Sequence, residues 1–143
     1  MPLQQAARAA ALALGLLIMR VLICGGRDLD PTLVWNWLEA HATEECADAL
    51  GRAQHVLISH VIQGGATGAD SGAADWARAS EIPVTSFPAD WDRYGRQAGP
   101  LRNTQMLAEG RPDAVIAFPG GAGTADMVRK ARAAGLPVVE ARI

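Results

Sequence analysis

Aromatic side chains are scarce in this chain: four Trp, two Phe and one Tyr make up 5% of its 143 residues. Trp91 and Tyr94, which fall together in one irregular stretch, therefore stand out. Cysteine is nearly as rare. Cys24 and Cys46 have neither metal-ligand spacing nor the density of a disulfide scaffold, so both read as thiols in a reducing cytoplasm. His41, His55 and His60 lack close ligand spacing, and no metal site is expected. Ser59, Ser71 and Ser86 sit in no nucleophile elbow. A basic excess is missing too: the net charge of -2 argues against a protein that coats nucleic acid, although local basic patches stay open. No apolar run approaches the ~20 residues that span a bilayer, so no membrane partner is expected.

The N-terminus is the one segment that imitates a targeting signal. Ala9 to Met19 is apolar and follows Arg8, but it runs straight into a strand pattern with no cleavage region. Residues 1–18 read as an appendage or a misassigned start; if translated, they form an Ala/Leu helix able to cover a subunit interface, hence an expected homodimer. Residues 19–143 read as one domain.

What is present is alternation. Apolar, β-branched runs at Arg20–Cys24, His55–Gln63, Ile82–Phe87, Asp113–Phe118 and Leu136–Val139 predict five strands. Helical spacing predicts helices from Pro31 to about Leu50, over Asp70–Ser80 and Leu101–Glu109, and from the turn after Phe118 to about Ala134, with Gly135 as the C′ residue. Such β-α repetition with short links implies an α/β fold with a parallel sheet, helices on both faces and right-handed crossovers. Ligands of such sheets lie beyond the strand carboxyl ends.

Three glycine-containing turns fall at those ends: Gly25-Gly26-Arg27-Asp28, Gly64-Gly65-Ala66-Thr67-Gly68-Ala69-Asp70 and Pro119-Gly120-Gly121-Ala122-Gly123-Thr124. In the last, small residues would let backbone N–H groups at a helix start approach an anion, a phosphate above all. Pro-Gly-Gly is also an ordinary tight turn, and Thr124 an ordinary N-cap with Asp126 in the first turn. The second loop of the same design, ending at Gly68, favours the ligand reading. Between strand three and the next helix, Pro88–Pro100 concentrates Asp90, Trp91, Asp92, Arg93, Tyr94 and Arg96 and reads as a functional loop. Trp91 or Tyr94 would stack on a base or sugar. Arg102 would take a phosphate bidentately, with Asn103 beside it. Asp70, Asp90 and Asp92 sit in or beside the strand-end loops, where one would serve as a general acid or base or hydrogen-bond a ribose; Asp70 and Asp126 read equally as helix-start residues favoured by the dipole.

The motifs G-G-R-D, G-G-A-T-G-A-D, W-D-x-Y-G-x-x-A-G-P-x-R-N and F-P-G-G-x-G-T-A-D-M, in this order, resemble the YspA-type, cpYpsA-related branch of the SLOG superfamily over residues 19–140. That resemblance implies a Rossmann-like three-layer α/β/α fold with a mainly parallel sheet of about five strands. The superfamily includes the LOG phosphoribohydrolases, once labelled lysine decarboxylases, and the DNA-processing protein DprA. It implies a nucleotide or ADP-ribose-like ligand, with no certain cofactor, for a sensor or processing domain. The alternatives are a nucleotide N-glycosidase and, less favoured by the acidic composition, a single-stranded-DNA binder. LOG enzymes carry P-G-G-x-G-T-x-x-E and an upstream arginine. Pro119 to Thr124 match and Arg102 is the counterpart of the arginine, but the glutamate position is Met127, which cannot serve as an acid or base. Asp126, one residue earlier, would substitute only if the helix start turned it inward, because neighbouring helical residues point about 100° apart.

Overall fold

The computed structural model describes residues 5–6, 9–10, 13–51 and 55–143. Of the segment read as an appendage, residues 1–4, 7, 8, 11 and 12 lie outside the described residues. The elements are β1 (Leu17–Cys24), α1 (Pro31–Ala49), β2 (Val56–Gln63), α2 (Ala69–Ala79), β3 (Val84–Ser86), α3 (Trp91–Tyr94), α4 (Ala98–Gly110), β4 (Ala114–Ala117), α5 (Ala122–Ala133) and β5 (Val138–Glu140), with a 3-10 turn over Gly95–Gln97.

All strand pairs are parallel, in the order β3-β2-β1-β4-β5. The chain thus builds outward from β1 to one edge, returns through α4, and builds outward to the other edge from β4. The alternation of β1 shows why both faces need cover. Met19, Val21 and Ile23 join the core under α1 and α2, while Leu22 and Cys24 join the core under α4 and α5. This is a three-layer, Rossmann-like fold.

β2 follows that alternation only because it slips once. Val56, Ile58 and Val61 all face the α1–α2 core, which strict alternation forbids. The register to β1 shifts between Met19 and Arg20, so that Met19 faces Ile58 and Arg20 faces His60. Ser59 is the extra residue, and its Oγ donates to Met19 O at 3.2 Å.

β3 and β5 are shorter than the runs that predicted them, and two further elements differ from the sequence reading. β1 begins at Leu17, three residues before Arg20, because Leu17 and Ile18 pair with Val56 and Leu57. The stretch read as a loop to Pro100 is largely helical: Asp90 caps α3 by accepting from Arg93 N at 3.1 Å, and α4 already starts at Ala98. Pro100 sits in the first turn of α4, where its missing N–H has no intrahelical acceptor to lose. Gly135, by contrast, ends α5 as the pattern requires. Its φ is 79°, it donates to Arg132 O, and Leu136 donates to Ala131 O, a Schellman closure.

Candidate functional site

The carboxyl ends of β2, β1 and β4 lie side by side, and the three glycine turns that leave them lock together. Gly26 N donates to Pro119 O at 2.8 Å, and Gly26 O accepts from Ala69 N at 3.1 Å. Gly68, at φ 71°, passes beneath this contact; a Cβ there would run into Gly26 O and lie 2.6 Å from Arg27 O. A Cβ at Gly25 would lie 2.7 Å from the Cβ atoms of both Ala69 and Phe118. Thr67 Oγ1 ties the second turn to the first by donating to Arg27 O at 3.0 Å.

Above the lock opens a cleft of ≈ 790 Å³. Gly25, Gly26 and Arg27 line it from the first turn, Pro119, Gly120, Gly121, Gly123 and Thr124 from the third, and Asp70, Trp91, Arg102, Asn103 and Asp126 from the helices. The two glycine loops read alike as anion sites differ sharply here. In the β2–α2 turn three N–H groups are already taken: Gly65 N donates to Gln63 Oε1, Ala66 N to Asp70 Oδ2 and Ala69 N, the first of α2, to Gly26 O. The N-terminus of α5 has no side-chain cap, and its first internal bond runs from Ala125 N to Gly121 O. The N–H groups of Ala122, Gly123 and Thr124 therefore have no acceptor within the helix. Cβ atoms at Gly121 and Gly123 would meet nothing within 4 Å, so the approach to this helix end is open.

One wall of the cleft is a continuous polar chain. Arg102 Nη1 donates to Gly64 O at 2.7 Å, and Arg102 Nε donates to Asn103 Oδ1 at 3.1 Å. Asn103, 3% exposed, donates in turn to Gly123 O and to Asp126 Oδ2, both at 3.0 Å. Lys130 Nζ and Arg129 Nη2 complete the carboxylate of Asp126 at 2.9 and 2.8 Å. Arg102 forms no ion pair within 4 Å among the described residues, and its Nη2 donates to no group there, which leaves donors for a ligand anion. Burial pulls the Arg102 pKa below its ordinary value, with the Asp70 charge opposing the fall.

Asp126 does face the cleft, while Met127 is fully buried in the core with Leu22, Cys24 and Ile62. Burial alone would raise the Asp126 pKa, but hydrogen bonds from Lys130 and Asn103, with the charges of Lys130 and Arg129, outweigh it and lower the value. Such a group stays ionised and is a weak proton carrier. Asp70, 6% exposed, behaves in the opposite way: burial raises its pKa, against Ala66 N–H and Arg102. Beside it the Cys24 thiol is pushed up to about 12 by burial, then by Asp70, with Arg102 opposing. Among the described residues no group of three or more His, Cys, Asp or Glu is arranged to hold a metal.

Gly64, Gly65, Thr67 and Gly68 lie outside the lining and support it from below. A Cβ at Gly64 would displace the Arg102 guanidinium, so this glycine makes room for the arginine. Asp90 is spent on capping α3, and Tyr94 also lies outside, its ring 5.0 Å from Arg93 Cζ. Arg96, Gly99 and Pro100, all within the stretch read as a functional loop, line the cleft, and so do Leu29 and Met106, which the sequence did not single out. Gly99 and Pro100 were legible as turn formers, and only the early start of α4 turns them inward.

The sequence model of the family described as YspA, cpYpsA-related SLOG matches residues 19–94, from within β1 through α3. The chain is also 41% identical over 128 residues to the Gene 61 protein of Mycobacterium phage D29, covering 84% of this chain and 94% of that protein.

Proposed function

Because the chain belongs to the YspA, cpYpsA-related SLOG family, we propose that it binds a nucleotide or nucleotide-derived ligand whose phosphate lies against the N-terminus of α5. Membership suggests a nucleotide-related binding or processing role, and the cleft supports the finer reading. The observation that carries it is the uncapped start of α5, open over Gly121 and Gly123 and flanked by the donors of Arg102. Backbone N–H groups and the helix dipole favour an anion there, and a guanidinium adds charge-assisted hydrogen bonds. Two buried free thiols fit a reducing compartment, so we place the protein in the cytoplasm.

A second reading, hydrolysis of the ligand's N-glycosidic bond, is favoured by Asp70. It is a cleft carboxyl held toward its protonated form, suited to donate a proton to a departing base. Asp126, ionised and tied by three donors, fits a contact to a hydroxyl rather than proton transfer.

Both readings meet in one experiment. Nucleoside monophosphates, ADP-ribose and NAD are compared with their unphosphorylated counterparts by thermal shift, and each mixture is assayed for free base. A ligand at ~1000 times its Kd stabilises the folded state by about 4 kcal/mol. Shifts confined to phosphorylated ligands, and lost in Arg102→Ala, are expected. Equal loss of nucleotide and nucleoside binding in that variant sinks the phosphate assignment. Base release that disappears in Asp70→Asn assigns the hydrolase.

A further inference from the structure

The indole of Trp91 is 44% exposed at the wall of the cleft, yet it is not loose. It stands on α3, anchored by the Asp90 cap, and its edge rests on α4 at Gly99, where a Cβ would lie 3.2 Å from Cη2. One face of the ring carries a guanidinium: Arg27 Cζ lies 4.7 Å from the ring centroid. Arg27 itself is exposed, and its side chain makes no hydrogen bond or ion pair among the described residues. Beyond the ring it feels only the longer-range charges of Asp70, which attracts it, and Arg102, which repels it. A fixed indole thus presents a flat face, covered by a flat group that no hydrogen bond or ion pair holds.

We propose that the aromatic base of the ligand stacks on this face of Trp91, taking the place of the Arg27 guanidinium, which is then free to turn toward the phosphate. The inference rests on the nucleotide reading above and adds the site of the base. Magnitudes decide the exchange. An exposed cation-π contact is worth about two- to fivefold in an equilibrium. Stacking of a base on an aromatic side chain is worth about five- to 150-fold. The base wins the face, and Arg27 keeps a role because the cleft also offers it an anion. Tyr94 is not an equivalent seat, since it lies outside the cleft lining and pairs with Arg93.

The test compares ribose 5-phosphate with AMP, GMP, CMP and UMP, which share the sugar phosphate and differ by the base. Titration calorimetry gives affinities. Tryptophan emission, with Trp91→Phe as the blank, isolates Trp91 from Trp35, Trp37 and Trp76, which pack in the α1–α2 core. At least one nucleotide is expected to bind more tightly than ribose 5-phosphate and to quench Trp91. Trp91→Ala should then weaken that nucleotide by about five- to 150-fold, toward the affinity of ribose 5-phosphate, which does not fall. Trp91→Phe should keep most of the gain. Equal affinity of ribose 5-phosphate and all four nucleotides overturns the base site alone, as does an equal loss of both ligand types in Trp91→Ala. If ribose 5-phosphate and the nucleotides all fail to bind, the phosphate reading falls and takes the base site with it.

Discussion

Asn103 holds Asp126 in place across the junction of two helices: Nδ2 on α4 lies 3.0 Å from Oδ2 on α5, while the other end of the same amide accepts from Arg102. Every polar atom of this buried side chain is used inside the protein. Asn103 lines the cleft and at the same time bridges its two neighbours.

Asn103→Ala should cost about 1 kcal/mol, because Gly123 O, Asp126 Oδ2 and Arg102 Nε each lose a partner in a part-buried place. Asn103→Asp should cost more near neutral pH, since it sets a second carboxylate against Asp126. Urea midpoints of the two variants check this. Equal midpoints would mean that the amide hydrogen bonds, and not charge, set the loss.

The glycines divide into two kinds by what surrounds them. Gly68→Ala puts a methyl into the Gly26 carbonyl at a positive φ, so a loss beyond about 2 kcal/mol or failure to fold is expected. Gly121→Ala and Gly123→Ala add a methyl to open space. Gly123 lies within α5, where alanine is favoured by up to about 1 kcal/mol, so this variant should melt no lower than the parent. Both should nevertheless lose phosphate ligands, because the methyl stands where the anion approaches. Unimpaired binding in both would move the anion away from α5.

Asp70 and Asp126 pull stability in opposite directions with pH. The lowered pKa of Asp126 means that its ionised form stabilises the fold above the ordinary aspartate range, and that this contribution is lost as pH falls through the folded value. Asp126→Asn should be less stable than the parent near neutrality, the gap closing in acid. For Asp70 the folded pKa is raised, so its ionisation costs stability, absent below the unfolded pKa and complete above the folded one. Asp70→Asn should be more stable than the parent near neutrality and equal to it in acid. Denaturation curves of both variants from about pH 3 to about pH 8 read the two slopes. A parallel response would refute the assignment of opposite shifts.

Neither cysteine should react with a thiol reagent in the folded protein. Burial pushes Cys24 to about 12, and burial with Glu45 pushes Cys46 to about 12. Near pH 8 only on the order of one molecule in ten thousand carries either thiolate. Absorbance of released thionitrobenzoate should stay flat until denaturant is added and then report both thiols. Prompt release of one equivalent from the native protein would show that Cys24 is open to the cleft as a nucleophile.

The strands and their order of appearance were legible because burial on both faces demands continuous runs such as Val21 to Cys24 and Ala114 to Ala117. The position of the cleft followed from the turns that end them. The division of labour between the turns was not legible. Gly64 to Gly68 and Pro119 to Thr124 look alike as sequence, and they differ in part because Gly26 O, some 40 residues away from Ala69, takes the first N–H of α2. The bulge at Ser59 was hidden for a related reason: His55 to Gln63 is apolar enough to read as unbroken alternation in either phase. The start of α4 at Ala98 was hidden because Gly99 and Pro100 are turn residues by propensity, and only the Trp91 ring shows why a glycine is kept there.

The interlocked turns also divide the cleft into a part closed to variation and a part open to it. Gly25, Gly26, Gly68 and Gly120 each pass within touching distance of a neighbouring turn's backbone or side chains, so lengthening or bulking any one displaces the others. The segment from Asp90 to Gln97 meets this assembly through side chains, Trp91 on Gly99 and Arg27 on Trp91. Relatives with a different appetite should therefore diverge in this outer segment first, and a designer seeking a new ligand should randomise it while leaving the three turns untouched.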